Sequence, residues 1–319
     1  MRVPFGLLLA AAAVGCASGG EPAVRSGWGG VVEEQPTPVA PLTGAFSVPT
    51  PSVRPYPQRE FTREEQAFFE HAWTSFKHGD PSWPEMEERW VAMGPEAAGV
   101  LAENLYRAMV AARVSGALHL VDEVRKDLKF LGEASVPVLV GGLSVRAVRD
   151  EKGREMRVGQ EVLHLAADIL AYIGPPSVPG LMDIASSGEQ NLVGEAVWAL
   201  GYIGDPRAEG LLLRLAEGGE WNTRAAAVLA LRRYGTEAAR SRVVAGLEDG
   251  EPLVVERAAQ ALATGKHLAA APGIVDVLER AVRDGKIQTT RYCVLALRKI
   301  TGQTFAEDPA AWRAWLERR

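Results

Sequence analysis

The chain has 319 residues, 47% of them hydrophobic and 24% charged, which is enough apolar material for a folded core and more length than one average domain needs. Its formal net charge of −5 speaks against a general nucleic-acid binder, which carries a basic excess. The two cysteines, Cys16 and Cys293, lie far apart and argue against a disulfide framework.

At the N-terminus, Arg2 precedes an apolar run from Leu7 to Val14, followed by small residues. This is the layout of a secretory signal, too short to span a bilayer as a stable helix. The run ends at Ala13-Val14-Gly15-Cys16, which resembles the bacterial lipobox, where small residues precede a cysteine that receives diacylglycerol before cleavage. The resemblance implies a signal peptide over 1–15 and a lipidated Cys16, the acyl chains (palmitate among them) together giving stable membrane residence. The lipobox commonly has Leu three residues before the cysteine; Ala13 stands there. In such lipoproteins an Asp after the cysteine retains the protein in the inner membrane; Ala17 in its place implies the outer membrane of a bacterial envelope.

Residues 16–58 read as a lipid-anchored linker. Between 17 and 58 there are six Gly and eight Pro, with few large apolar groups. Proline removes backbone donors and favours extended conformations, and such a stretch cannot bury enough apolar area to offset its ordering entropy. The expectation is a disordered tether, with Trp28 and Phe46 as incidental exposed aromatics.

Folding signals begin near Phe61. Thr62 with Glu65 forms a capping-box pattern, and Phe68, Phe69, Ala72, Trp73 and Phe76 follow at helical spacing. Gly79-Asp80-Pro81 stops that helix. Further helices are expected over 83–93, 96–113 and 116–131, making 59–132 an N-terminal helical region. The acidic group Glu85, Glu87 and Glu88 reads as a solvated helix face.

From residue 133 the chain repeats itself. Five segments align on Leu170, Leu200, Leu231, Leu262 and Leu297. Four residues before each Leu stands a small side chain: Ala166, Ala196, Ala227, Ala258 or Cys293. One residue before it stands Ile169, Ala199, Ala230, Ala261 or Ala296. These positions share one helix face, where small groups admit a neighbouring helix and the Leu fills the core. Each segment ends at a glycine suited to a left-handed C-cap: Gly174, Gly204, Gly235, Gly265 and Gly302. Partner helices fit 178–186, 207–217, 237–247 and 271–283. One unit is therefore helix, turn, helix in about 30 residues, and it must stack on others to bury its apolar face.

This pattern over 133–302 resembles HEAT repeats, in particular the short form of phycobilisome-lyase-like HEAT proteins. It implies an all-α chain, a right-handed α-solenoid of HEAT-like helical hairpins behind a disordered N-terminal tether. The short-repeat family carries an Arg and an Asp near its joints; here Arg224, Arg257 and Arg291 fit, and the copies around Leu170 and Leu200 lack the Arg. The charge-rich stretch 146–160 lengthens one joint as a solvated loop. At the end of the chain, Asp308 and Pro309 open a capping helix within 303–319, and its Trp312, Trp315 and Leu316 are expected to cover the last repeat.

No HExxH, paired-Cys, GxSxG, Walker or dinucleotide-glycine pattern occurs, and five histidines are scattered. The reading is accordingly no catalytic residue, no metal and no cofactor, with Cys293 as a packing thiol. By resemblance, second helices line the binding surface of a HEAT solenoid. There Tyr172, Glu195, Trp198, Tyr202 and Arg257 are the candidate partner-binding residues, because aromatics and arginine concentrate in interface hot spots. The expected function is a non-catalytic scaffold, membrane-bound through the lipid at Cys16, that binds a protein or peptide of the cell envelope and no nucleic acid. Two alternatives stand beside it: an accessory subunit or unfamiliar enzyme using 146–160, and a glycan-binding structural component of the envelope.

Overall fold

The computed structural model describes residues 59–149 and 154–319. The expected signal peptide, Cys16 and the linker lie outside the described residues. The described residues divide into two compact units, the first ending at Ile173 and the second being Gly174–Arg319.

The first unit holds α1 (Arg63–His78), α2 (Trp83–Ala92), α3 (Pro95–Ser115), α4 (Leu118–Leu131), α5 (Val136–Ser144) and α6 (Gln160–Ile173). The capping box opens α1: Thr62 Oγ1 accepts from Glu65 N at 3.2 Å, and Thr62 N donates to the Glu65 carboxylate at 2.8 Å. The aromatic residues then pack against one another. Phe69 stacks on Trp90 at 4.5 Å, Trp73 on Phe76 at 4.7 Å, and Phe76 meets Trp83 at 5.0 Å. Trp90 is fully buried and its Nε1 donates to Ala97 O at 2.8 Å, which joins α2 to the start of α3. Helices α3 and α4 pack together, as do α5 and α6.

Two expectations fail in this unit. Glu87 is not on a solvated face: it is 7% exposed, because it lies one turn after Trp83 on the stripe that also carries Trp90. Glu85 and Glu88 do face solvent, apart from that stripe. The second failure is the charge-rich joint, which contains a β-hairpin where a loop was expected. Strand β1 (Ala147–Arg149) pairs antiparallel with β2 (Glu155–Arg157), Val148 opposite Met156. Met156 stands between Glu155 and Arg157, and Val148 opposite it is buried, as a half-buried ribbon requires.

The second unit holds α7 (Val178–Ser186) to α14 (Ile287–Thr301) in hairpin pairs, followed by α15 (Pro309–Glu317). The pairs are α7 with α8 (Gln190–Ile203), α9 (Glu209–Gly218) with α10 (Trp221–Ala230), α11 (Glu237–Ala245) with α12 (Pro252–Thr264), and α13 (Ala271–Arg283) with α14. Second helices stack in order, α10 against α8, α12 against α10 and α14 against α12. The aligned Leu residues and the small residues four before them are buried in all five copies. Each such Leu contributes about 1.5–3 kcal/mol by leaving water. Helices α8 and α10 approach closely at Gly201, where a Cβ would stand 2.5 Å from the Ala230 Cβ on α10.

The glycine closing each copy takes a left-handed φ at Gly174, Gly204 and Gly302 (85°, 70° and 73°) but not at Gly235 or Gly265. Helix α10 instead tightens into a 3-10 turn over Leu231–Arg233, and Tyr234 continues extended. In the next copy the positive φ falls on Lys266, at 52°, one residue beyond Gly265. Helix α15 is capped by Asp308, whose carboxylate accepts from Ala310 N at 2.9 Å, and packs on α13. Trp312 is buried, whereas Trp315 is only half-buried, with the Arg319 guanidinium 4.7 Å over its ring.

Candidate functional site

Among the described residues there is no group of His, Cys, Asp and Glu able to hold a metal ion. Cys293 is fully buried, and burial pushes its thiol up to about 12, the behaviour of a packing group. No described helix is long and apolar enough to cross a membrane.

The candidate partner-binding residues fall in both units. Tyr172, on α6 of the first, is 66% exposed, with Lys129 Nζ 4.6 Å over its ring. Beside it Asp168 pairs with Lys129 at 3.1 Å and with Arg125 at 3.7 Å. The others lie on second helices of the second unit. Trp198 is 37% exposed and Tyr202 52%; they are one turn apart on α8, and their rings stack at 5.9 Å and 28°. Glu195, half-buried, precedes them on the same helix. Arg257 on α12 donates from Nη1 to Gln260 Oε1 at 2.9 Å.

The geometry of the second unit follows from the repeat. Counting from the aligned Leu, the positions five before, two before and two after lie together on the helix face opposite that Leu. Trp198, Leu229, Gln260 and Leu295 hold the middle position on four successively packed helices, with Tyr202, Arg233, Thr264 and Lys299 one turn further. The helices touch across this face: the Arg233 guanidinium lies 5.4 Å over the Tyr202 ring, linking α10 to α8. Arg233 and Lys299 complete a pattern in which sequence reasoning picked out the aromatic end, with Glu195, and Arg257. The signal was available, because both stand at the position of Tyr202.

The other edge of the stack is tied into itself. Arg224 grips Asp249 with two bonds, 2.9 Å and 2.8 Å, across the joint between consecutive hairpins, and this holds the Asp249 carboxyl below its ordinary value. Arg207 pairs with Asp205 at 2.7 Å and also donates to Pro175 O at 2.8 Å. A cleft of about 130 Å³ opens between the α11–α12 and α13–α14 turns, lined by Glu248, Arg280, Asp284, Lys286 and Thr289. Its Arg280 is already paired with Glu248 at 2.9 Å.

The second-helix face is thus the broad exposed surface of this unit that combines aromatic and cationic groups, while the joints spend their charges on holding hairpins together.

Comparison with known proteins agrees with the repeat geometry. The family model for HEAT repeats matches residues 178–263 and, overlapping, 208–298. Among solved structures, an engineered protein is 20% identical, with a TM-score of 0.38 over 70% of this chain and 97% of that chain. Human deoxyhypusine hydroxylase in complex with glycerol is 15% identical, with a TM-score of 0.32 over 66% of this chain and all of that one (100%). A search of curated proteins gives no match. With two overlapping family matches over helices that stack hairpin on hairpin, residues 178–298 of this chain are built of HEAT repeats.

Proposed function

We propose that this chain is a lipid-anchored scaffold of the bacterial cell envelope, without catalytic activity of its own, that recognises a protein or peptide through its second helices. HEAT repeats form a helical scaffold for protein interaction, and the exposed Trp198–Tyr202 stack is the observation that carries the reading to a particular surface. A stacked, exposed aromatic pair backed by a buried repeat core is a rigid anchor, and rigid aromatics give large contact area at low entropic cost. The anchor is supported by the leader layout of residues 1–15, the Ala13-Val14-Gly15-Cys16 string and the Pro- and Gly-rich stretch that follows.

The test is crosslinking in cells, with recovery of the native lipoprotein beside a Trp198→Ala/Tyr202→Ala variant of equal abundance and fold. Loss of a captured partner only in the variant places the site on α8. Equal capture by both proteins refutes that placement, and capture by neither refutes a protein scaffold.

A further inference from the structure

The cations of the second unit are divided into two populations. Those at the joints, on first helices and on the capping helix are in six cases paired with carboxylates: Arg207 with Asp205, Arg224 at the start of α10 with Asp249, Arg240 with Glu237, Arg280 with Glu248, Arg283 with Asp284, Arg313 with Asp276 and Glu279. Those on the exposed arc of the second helices are not. Arg232, Arg233, Arg257, Arg291, Arg298 and Lys299 form no ion pair among the described residues, although the chain as a whole has more acidic than basic groups. On the same arc Glu195 is the one carboxylate within reach of solvent; Glu256, at the repeat position of Arg291, is buried and accepts from Thr289 Oγ1 at 3.0 Å. These cations flank the middle row of Trp198, Leu229, Gln260 and Leu295.

Resting on the scaffold reading above, we infer that the second-helix face of residues 190–301 is a docking surface for an extended acidic peptide segment carrying an aromatic or aliphatic anchor. Charge complementarity names the occupant. Six cations without a carboxylate partner, on an arc that exposes a single carboxylate, create a positive field that an acidic chain relieves. The Trp198–Tyr202 stack at one end of the row and the exposed Leu295 at the other receive apolar side chains between the charges.

Packed helices stand about 8–10 Å apart, so the three steps from α8 to α14 span roughly 24–30 Å. An extended peptide covers that distance in about eight or nine residues. A nucleic acid fits less well: the middle row is half aliphatic, Glu195 lies beside the aromatic pair, and the cations number only one to three on each of α10, α12 and α14 with their end turns.

The experiment uses the full chain in detergent as bait for phage displaying random decapeptides. The expected result is enrichment of sequences with at least three Asp or Glu and one aromatic or aliphatic residue. A fluorescein-labelled copy of the best sequence should lose affinity at least 10-fold on Arg233→Glu/Lys299→Glu, and also between 50 and 500 mM salt, values set by the design (roughly a threefold change in Debye length). Arg257→Gln/Lys299→Gln serves as the milder variant should charge reversal disturb the fold.

Absence of enrichment, enrichment of neutral or basic sequences, or equal binding by the charge variants overturns the inference, as does a labelled decathymidylate that binds as tightly as the best peptide. In the crosslinking assay, a partner lost with Trp198→Ala/Tyr202→Ala but kept with Arg233→Glu/Lys299→Glu refutes the acidic class and leaves the scaffold standing. A partner kept by both variants removes the site itself.

Discussion

Glu87 makes the stability of the first unit depend on pH in an unusual direction. Its carboxyl lies beneath α2 with Oε1 buried and without a hydrogen-bond donor. Across from it Asp127 of α4 accepts from Trp83 Nε1 at 3.2 Å. Burial, then the nearby charge of Asp127, then that of Glu88 push Glu87 up from 4.5 to about 8. Asp127 is itself raised from 3.8 to about 6, chiefly by burial, so it loses its proton first and its charge then opposes ionisation of Glu87.

Between pH 4.5 and about 8 the folded chain holds a proton at Glu87 that the unfolded chain has released. Rising pH therefore favours the unfolded state, by about 1.4 kcal/mol per pH unit in that window. Stability from this group is fully present below pH 4.5 and is lost as pH climbs through about 8. The full window corresponds to roughly 4–5 kcal/mol, and residual solvation reduces the expected effect to about 2–4 kcal/mol. Glu87→Gln keeps the shape and removes the ionisation. The variant should match the wild type near pH 5 and exceed it by about 2–4 kcal/mol near pH 9. Urea unfolding of the full chain, followed by ellipticity and tryptophan fluorescence across that range, reads the difference. Parallel stability curves for the two proteins would refute the buried-carboxylate argument.

The remaining predictions test packing, joints, recognition and location. Gly201→Ala forces apart α8 and α10, whose Cβ contact would be 2.5 Å, and should cost about 1–3 kcal/mol in urea unfolding. Asp249→Asn leaves Arg224 without its two-bond partner and should cost about 1–3 kcal/mol at pH 7; because Arg224 lowers the Asp249 carboxyl, the wild-type advantage should vanish in acid as pH falls below its ordinary 3.8. Trp198→Ala/Tyr202→Ala should abolish partner capture yet change unfolding free energy by no more than about 1 kcal/mol, since both rings are exposed. Cys16→Ser should eliminate labelling by an alkyne palmitate analogue and release the protein from the membrane fraction; unchanged labelling would refute lipidation at that residue.

The repeated hairpins were legible because every copy states the same rule: a small residue, then a second residue, then Leu on one face, as in Ala196, Ala199 and Leu200. Helix α15 was legible from Asp308 and Pro309, whose roles are local. What escaped depended on partners distant in sequence. Glu87 looked like its neighbours Glu85 and Glu88, yet it lies four residues from Trp83 and three from Trp90, and that spacing was the available sign of burial. The hairpin at 147–157 was hidden by charge, although Met156 alternates with Glu155 and Arg157 as in a ribbon. Gly235 and Gly265 were read as left-handed caps from position alone, but a 3-10 turn in one copy and Lys266 in the other supply the closure. On the binding face, sequence reveals cations but not whether a carboxylate from another hairpin has already claimed them. Arg224 and Arg233 look alike in the string and differ only in space.

Helix α15 also bears on how such a chain changes length. It does not follow the repeat rule: Trp312 donates from Nε1 to Ala306 O at 3.0 Å, and Arg313 reaches back to Asp276 and Glu279 on α13. The fit is specific to one hairpin, so a duplicated hairpin added after α14 would present α15 with the wrong surface unless it copied α13 as well. Copies inserted earlier in the stack leave that match untouched. Growth or loss of repeats in related chains is therefore expected at the interior joints, with the α13–α15 pairing inherited as a block.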